Sequence, residues 1–510
     1  MIAVLDFGSQ YTHLITRRIR ELGVLAEIFD HTISADELKK RGVEGIILSG
    51  GPNSVYEEGA PHVDKAVFSL GIPILGICYG LHLIAYENGG KVASGKKREY
   101  GEKVISIEEK GKLFEGLDVE ETVWFSHGDE VVKIPVGYKV LATTPDCPIA
   151  AYANEKIGIY AIQFHPEVVH TKHGMKILKN FLFSICKSKK DWEIKDVKVH
   201  MIRELQNKIG ERRVMIGVSG GVDSLVAATL LHEAIGDNLY CVFIDTGLMR
   251  KNEGMEVKQL FKALKFKTFM AVEAGEEFLA KLEGVVEPEA KRKIFATVYF
   301  EIFSKQASAL KKDKHIDFLA QGTIYPDRIE AGKASKMADV IKTHHNLYPP
   351  QKFGMEILEP LGEFYKDEVR RLGLDLGIRK DAVYRHPFPG PGLAIRILGE
   401  ITPERLRLLQ EADSIFIEEL KKSGWYDKTW QAFAALLPVK SVGVMGDART
   451  YQDMVVLRAV TSKDAMTADW VRLPEELLNR ISKRITNEIR GINRVLYDIT
   501  QKPPATIEYE

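Results

Sequence analysis

Val214-Met215-Ile216-Gly217-Val218 runs directly into Ser219-Gly220-Gly221-Val222-Asp223-Ser224, and over residues 225–235 the apolar side chains take up a helical pattern. A short apolar run, a glycine-rich turn and a helix, in that order, predict a strand that ends at a helix N-terminus, the unit of an open parallel α/β sheet. Such a turn makes an anion site. Paired glycines let the backbone approach a phosphate closely, and the first helical N–H groups and the positive end of the helix dipole favour negative charge. No lysine closes the turn, which separates it from a Walker A loop. It carries Asp223 instead, a ligand suited to the Mg2+ that accompanies a polyphosphate. Without that chemistry the same string is an ordinary strand-to-helix turn.

Beyond this turn, further apolar runs at 239–245, 267–272 and 316–320 continue the α/β alternation. Ligands of open parallel sheets lie at the carboxyl ends of the strands, which puts Asp245 and Gln321-Gly322-Thr323 beside a nucleotide; Asp245 alternatively only caps the next helix. Upstream, strands at 2–5, 24–29 and 45–48 alternate with helices at 14–22 and 35–40. Shorter alternating strands between 92 and 162 suggest an antiparallel extension. The charged stretch Lys187-Ser188-Lys189-Lys190-Asp191 marks a boundary or a solvated helix end, and a Pro/Gly-rich loop from His386 opens a third segment. The expected fold is α/β, with two open parallel-sheet domains in series (1–188 and 189–385) followed by a smaller α+β domain (386–510).

A second constellation lies at Gly76-Ile77-Cys78-Tyr79-Gly80, after the apolar run Ile72-Pro73-Ile74-Leu75 and before a helical stretch. Glycines two before and two after a nucleophile permit a sharp strand-to-helix elbow, and a helix N-terminus favours a thiolate. A lone cysteine is more often a buried structural residue. Here Gln163-Phe164-His165-Pro166-Glu167 supplies partners. In extended chain, residues i and i+2 project to one side, so Glu167 orients His165 while His165 takes the thiol proton. Leu48-Ser49-Gly50-Gly51-Pro52 adds an N–H at Gly51 that joins that of Tyr79 as an oxyanion hole.

The remaining composition narrows the class. The chain of 510 residues is long enough for about three domains, each with its own core. Lys plus Arg equals Asp plus Glu, 71 against 71, so no overall positive field exists to hold a nucleic acid. Cys78, Cys147, Cys186 and Cys241 form no C-x-x-C pair, which disfavours a zinc ribbon or a disulfide scaffold and fits a reducing cytoplasm. No apolar run reaches the ~18 residues of a membrane span, and no leader-like segment precedes the first strand. A soluble, cytoplasmic protein with no nucleic-acid or membrane partner is expected.

Residues 219–224 resemble the pyrophosphate loop of the ATP pyrophosphatases, and the strings around Cys78, His165 and Gly51 resemble those of the class I glutamine amidotransferases over about residues 1–186. Their order, with His386-Pro387-Phe388-Pro389-Gly390-Pro391-Gly392 and the tail Lys502-Pro503-Pro504-Ala505-Thr506-Ile507-Glu508-Tyr509-Glu510, resembles the family of glutamine-hydrolysing GMP synthetases along the whole chain. The resemblance implies that ammonia made from glutamine at Cys78 aminates xanthosine 5′-monophosphate (XMP) to GMP. ATP with Mg2+ forms an adenylated intermediate, releasing AMP and pyrophosphate, and no organic cofactor is tightly bound. It places Ser219, Gly220, Gly221, Val222, Asp223, Ser224, Asp245, Gly322, Lys342 and Lys366 at ATP, with Asp223 facing the metal. Lys342 lies in the lid string Lys342-Thr343-His344-His345-Asn346, followed here by Leu347-Tyr348-Pro349-Pro350 where the family has Gly-Gly-Leu-Pro. Arg250, Pro389, Gly390, Gly392, Asp447, Lys502 and Glu508 fall at XMP, and the C-terminal segment at a homodimer contact.

Two rival classes remain at this point. One is another ATP-dependent ligase or thiolase on the same loop, such as NAD synthetase or a tRNA-thiolating enzyme. The other is a regulator that keeps the scaffold without the chemistry. The clearest departure from the family is His82, where it has a glutamine that contacts the substrate glutamine. One helical turn beyond Cys78, His82 is expected to point toward the site, weaken glutamine binding and titrate between about pH 6 and 7.

Overall fold

The computed structural model describes the chain except Gln10 and residues 329–353, 446–447 and 463–466, and except the side chains of 96–100, 194, 196 and 445. The chain divides into two compact units, Met1–Asp196 and Val197–Glu510.

The first unit is built on nine strands in one sheet. In chain order these are β1 (Ile2–Asp6), β2 (Ala26–Asp30), β3 (Gly45–Leu48), β4 (Ile74–Ile77), β5 (Lys91–Ile107), β6 (Glu120–Lys133), β7 (Lys139–Thr143), β8 (Ala151–Asn154) and β9 (Ile159–Ile162). Helices α1 (Thr12–Glu21), α2 (Ala35–Lys40) and α3 (Tyr79–Glu87) lie among them. The order β2-β1-β3-β4-β9-β8-β7-β5-β6 is parallel from β2 to β9 and antiparallel beyond, as the change to short alternating strands predicts. The central strands read as continuous apolar runs because both faces are covered. Ile2 and Val4 of β1, Leu75 and Ile77 of β4 and Tyr160 and Ile162 of β9 enter one core, while Ala3, Leu5, Ile74, Ile159 and Ala161 enter the core on the other side. The charged stretch 187–191 folds back onto this unit. Asp191 Oδ1 accepts the Leu25 N–H at 2.8 Å, and the Arg20 guanidinium lies 4.5 Å over the Trp192 ring.

In the second unit β10 (Arg213–Val218), β11 (Leu239–Asp245), β12 (Phe269–Glu273), β13 (Ile316–Ala320) and β14 (Glu356–Leu358) form an all-parallel sheet in the order β12-β11-β10-β13-β14. The chain proceeds from β10 to one side and later returns to the other, so the crevice at the carboxyl end of β10 is the switch point at which such sheets bind ligands. The helix after β10 spans Val222–Ile235 and begins three residues before its apolar pattern, since Val222, Asp223 and Ser224 form its first turn with Asp223 toward the positive pole. Farther on, helix Pro403–Lys422 opens with Thr402, whose hydroxyl accepts the Arg405 N–H at 3.2 Å, and a proline at its first turn. It packs with a smaller sheet in which β15 (Gln431–Met445), β16 (Ala448–Thr461) and β17 (Asp469–Trp470) run antiparallel and β18 (Ile492–Tyr497) lies parallel to β16. One apolar core runs from Met215, Val242 and Leu319 of the first sheet to Phe416, Leu457 and Ile485.

Candidate active sites

In the first unit β4 delivers Cys78 to the start of α3 with φ 55° and ψ −104°, in the positive-φ half of backbone space that L residues rarely enter. The flanking glycines make the turn possible. A Cβ on Gly76 would stand 2.6 Å from the Gly80 carbonyl group, and one on Gly80 would stand 2.3 Å from Leu48 O. His165, just past β9, is held by its own N–H on Trp124 O at 3.0 Å and by Thr171 Oγ1, which donates to its carbonyl. Its Nδ1 donates to Glu167 Oε1 at 2.6 Å, both side chains being almost wholly buried. Burial works against the imidazolium, but the Glu167 carboxylate and the neighbouring Cys78 outweigh it and hold His165 well above the ordinary histidine value. The Cys78 thiol points along β6, 3.6 Å from Ser126 O, and the Tyr11 ring meets the His165 ring edge-on at 5.1 Å. The Tyr79 and Gly51 N–H groups have no acceptor among the described residues, and Gly51 tolerates no side chain because a Cβ would stand 2.8 Å from Phe7 O. The fold thus places a thiol, an imidazole, a carboxylate and two open N–H donors at the carboxyl ends of neighbouring parallel strands.

His82 corrects an expectation. It lies one turn beyond Cys78 but is buried, and its Nε2 donates to Gln163 Oε1 at 2.8 Å while the His127 ring packs 6.4 Å away. Burial, reinforced by His127, pushes its pKa down to about 4. A histidine so placed stays neutral across pH 6–7, so the expected titration in that range does not belong to it. Position 82 was legible; its surroundings are supplied by β6 and by the residue after β9, which local spacing does not reveal.

In the second unit the 219–224 turn is organised by its own hydroxyls. Ser219 N–H donates to Ser224 Oγ at 3.2 Å, Gly221 N–H to Ser219 Oγ at 3.3 Å, and Ser224 Oγ to Gly221 O at 3.1 Å. Gly220 sits at φ +76°, and Val222 opens the helix. Gly322, beyond β13, presses against the turn: a Cβ there would meet Ser224 N at 3.0 Å and the Asp223 carbonyl carbon at 3.2 Å. Asp223 Oδ2 takes the Lys366 ammonium at 2.6 Å, and Oδ1 is buried without a hydrogen bond among the described residues. Asp245 ends β11 with Oδ1 on the Gly247 N–H at 3.1 Å and Oδ2 3.8 Å from Lys258 Nζ, so it caps a turn and not helix Glu253–Ala263.

Of the residues expected at XMP, Arg250 donates through Nη1 to the buried Asp413 at 2.8 Å and through Nη2 to Ala432 O at 3.0 Å, beside the Phe388 ring. The Pro389–Gly392 turn docks on the chain after β11. The Gly392 N–H is bonded to Pro389 O at 2.9 Å and so is not offered to an anion, and a Cβ at Gly392 would stand 2.3 Å from Leu248 O. Lys502 pairs through its backbone with Ala468. Glu508 accepts from Arg396 and from Gln431. Lys342 with the rest of its lid string, and Asp447, lie outside the described residues. Sequence reasoning gave no partner to Gln163, which it placed in the His165 string, and passed over Arg396 and Gln431. Each stands in an apolar run or beside a known motif, and its partner is distant along the chain.

Comparisons with known proteins agree on the family. The class I glutamine amidotransferase model matches residues 3–185, the NAD synthase model residues 194–289 and the GMP synthase C-terminal domain model residues 418–509. Curated proteins named glutamine-hydrolysing GMP synthase are similar over the whole chain: 54% identity for that of Carboxydothermus hydrogenoformans and 52% for those of Brachyspira hyodysenteriae and Aquifex aeolicus, covering 100% of this chain and 99% of each relative. The match to the NAD synthase model is confined to residues 194–289, whereas the similarity to these relatives runs from end to end. With two such sites on one chain and identity above half from end to end, the chain belongs to the glutamine-hydrolysing GMP synthase family.

Proposed function

We infer that this protein aminates XMP to GMP with ammonia from glutamine, consuming ATP to AMP and pyrophosphate. The observation that carries the reading is the presence, in a chain 54% identical to a GMP synthase along its whole length, of both a thiol–imidazole–carboxylate array and a pyrophosphate turn.

In the first unit, Cys78 attacks the glutamine carboxamide with His165 moving the proton and Glu167 fixing the ring. Gly51 and Tyr79 N–H receive the oxyanion, ammonia leaves and water releases glutamate from the thioester. In the second unit the XMP O2 attacks the ATP α-phosphorus, the bond to the β-phosphate breaks, and pyrophosphate departs into the 219–224 turn, with Gly322, Asp245 and Lys366 near it; Lys342 is assigned to ATP from the family's lid string alone. Ammonia then adds at C2 and AMP leaves; without adenylation the departing group would be an unactivated oxygen, at a far higher barrier. The donor set suits Mg2+ held jointly with substrate. Asp223 Oδ1 is an unfilled hard oxygen, and no group of three ligating side chains exists among the described residues to hold a cation alone. Bound there, the ion would draw charge from the phosphate oxygens.

Arg250, Pro389, Gly390, Gly392, Asp447, Lys502 and Glu508 are assigned to XMP, and 1–188, 189–385 and 386–510 to the three functional segments. Exposed Val439, Val442, Val444 and Tyr451 on β15 and β16 support a homodimer through that face. Four free thiols support a reducing, cytoplasmic setting, and no described helix is long and apolar enough to cross a membrane. The test is pyrophosphate release from ATP with ammonium and a panel of nucleotides. Release that requires XMP is expected; release with nicotinic acid adenine dinucleotide or RNA instead would overturn the reading.

A further inference from the structure

Arg396 is fully buried in an apolar run, Leu393-Ala394-Ile395-Arg396-Ile397-Leu398, where a charge is expensive unless it has a purpose. Its guanidinium forms a fork on Glu508, Nε to Oε2 at 3.0 Å and Nη2 to Oε1 at 2.8 Å, and lies 4.1 Å from the Phe433 ring centroid and 5.0 Å from that of Phe388. Gln431 Nε2 donates a third hydrogen bond to Glu508 Oε1 at 2.6 Å. The remaining Nη1 is buried with no acceptor among the described residues. An arginine placed only to neutralise a core charge would satisfy all its edges. This one leaves an edge unmet while two rings and a two-point fork fix its plane on Glu508. Glu508 is not enclosed with it: its side chain, held by three hydrogen bonds, is 20% exposed.

We propose that Arg396 is a positioning residue for the nucleotide. It holds the Glu508 carboxylate as a rigid acceptor for a hydrogen-bond donor of XMP, either a ring N–H or a ribose hydroxyl. The inference rests on the assignment of Glu508 to the XMP site. Arginine and the Gln431 amide nitrogen only donate, so both Glu508 oxygens are presented as acceptors, and a ligand atom with a lone pair in that place is repelled. Where the donor is a ring N–H, the same site excludes ATP and AMP, whose adenine N1 and N3 carry lone pairs in place of the xanthine N–H groups; a ribose hydroxyl, which all three share, would give placement without that discrimination. A site that must hydrogen-bond a donor rejects an analogue lacking it far more strongly than an apolar pocket rejects a change of shape.

The test is steady-state kinetics of the full chain with ammonium, which leaves the glutaminase aside. Arg396→Lys keeps the charge but cannot form the fork, so the KM for XMP is expected to rise about 10- to 100-fold, the range for a charge-assisted hydrogen bond, with the KM for ATP and kcat little changed. Glu508→Gln should raise the KM for XMP similarly, and adding Arg396→Lys to it should cost nothing more. If Glu508→Gln leaves the KM for XMP at the wild-type value, the assignment of Glu508 to the nucleotide fails. If Glu508→Gln raises it and Arg396→Lys does not, or lowers only thermal stability and kcat, the positioning role of Arg396 fails. Wild-type enzyme gives an arm independent of folding, using 1-methyl-, 3-methyl-, 2′-deoxy- and 3′-deoxy-XMP. One of them is expected to bind at least about tenfold more weakly, a ring analogue marking the base and a deoxy analogue the ribose as the donor. Four analogues that bind like XMP would overturn the proposal.

Discussion

The two candidate sites are built on opposite principles. In the first unit the protein brings every reacting group except the substrate: a thiol on a constrained elbow, a buried His165–Glu167 pair and two open N–H donors. In the second unit the protein brings a backbone cradle and charged side chains that pair with one another, Lys366 with Asp223 and Arg396 with Glu508, while the reacting groups arrive on ATP and XMP. Covalent catalysis requires the nucleophile and its base to be fixed before substrate enters. Phosphoryl chemistry needs chiefly placement and countercharge, which the substrates themselves complete.

The largest effect is expected where that contrast is sharpest. Cys78→Ala should reduce glutamine-driven GMP formation by about 10^5-fold or more, the scale of losing a covalent nucleophile, and leave ammonium-driven formation near wild type. Loss of both activities in a folded protein would mean that the sites are not separable. Asp223→Ala should depress both reactions together by about 10^2- to 10^3-fold, since phosphate placement serves either nitrogen source. Retained ammonium-driven synthesis would remove Asp223 from the site.

The smallest effect concerns His82. Its folded pKa of about 4 lies below the ordinary 6.5, so protons bind the unfolded chain more readily across that interval. Its contribution is therefore complete above pH 6.5 and is lost as pH falls toward 4, amounting to about 2 kcal/mol at pH 5. His82→Gln should lose about that much less stability than wild type between pH 7 and pH 5. Amide exchange within residues 1–196 reads this, and equal losses in both proteins would show that position 82 is not a buried neutral base.

The sequence shows the sheets clearly wherever apolar runs alternate with helical patterns: Gly45–Leu48, Leu239–Asp245 and Ile316–Ala320 are strands with the expected limits, and Ala35–Lys40 is the expected helix. The local conformations at Cys78 and at 219–224 are legible too, because a glycine elbow or a glycine-rich turn imposes fixed local spacing. What escapes is contact made across long separations. Glu508 lies 112 residues from Arg396, and an arginine inside Leu393–Leu398 carries no local mark of its partner. The parallel pairing of β18 with β16 is likewise set by the helix Glu475–Glu488 crossing between them and not by any pattern within either strand.

The positive φ of Cys78 has a thermodynamic side. A non-glycine residue held in such a conformation costs of the order of 1–3 kcal/mol, and the surrounding sheet must supply it. Glycine at 78 would follow the same elbow without that strain and without sulfur, giving a sturdier but inert first unit. In this unit resistance to unfolding and capacity for chemistry pull against each other at a single backbone torsion, and further stabilisation is best sought away from it.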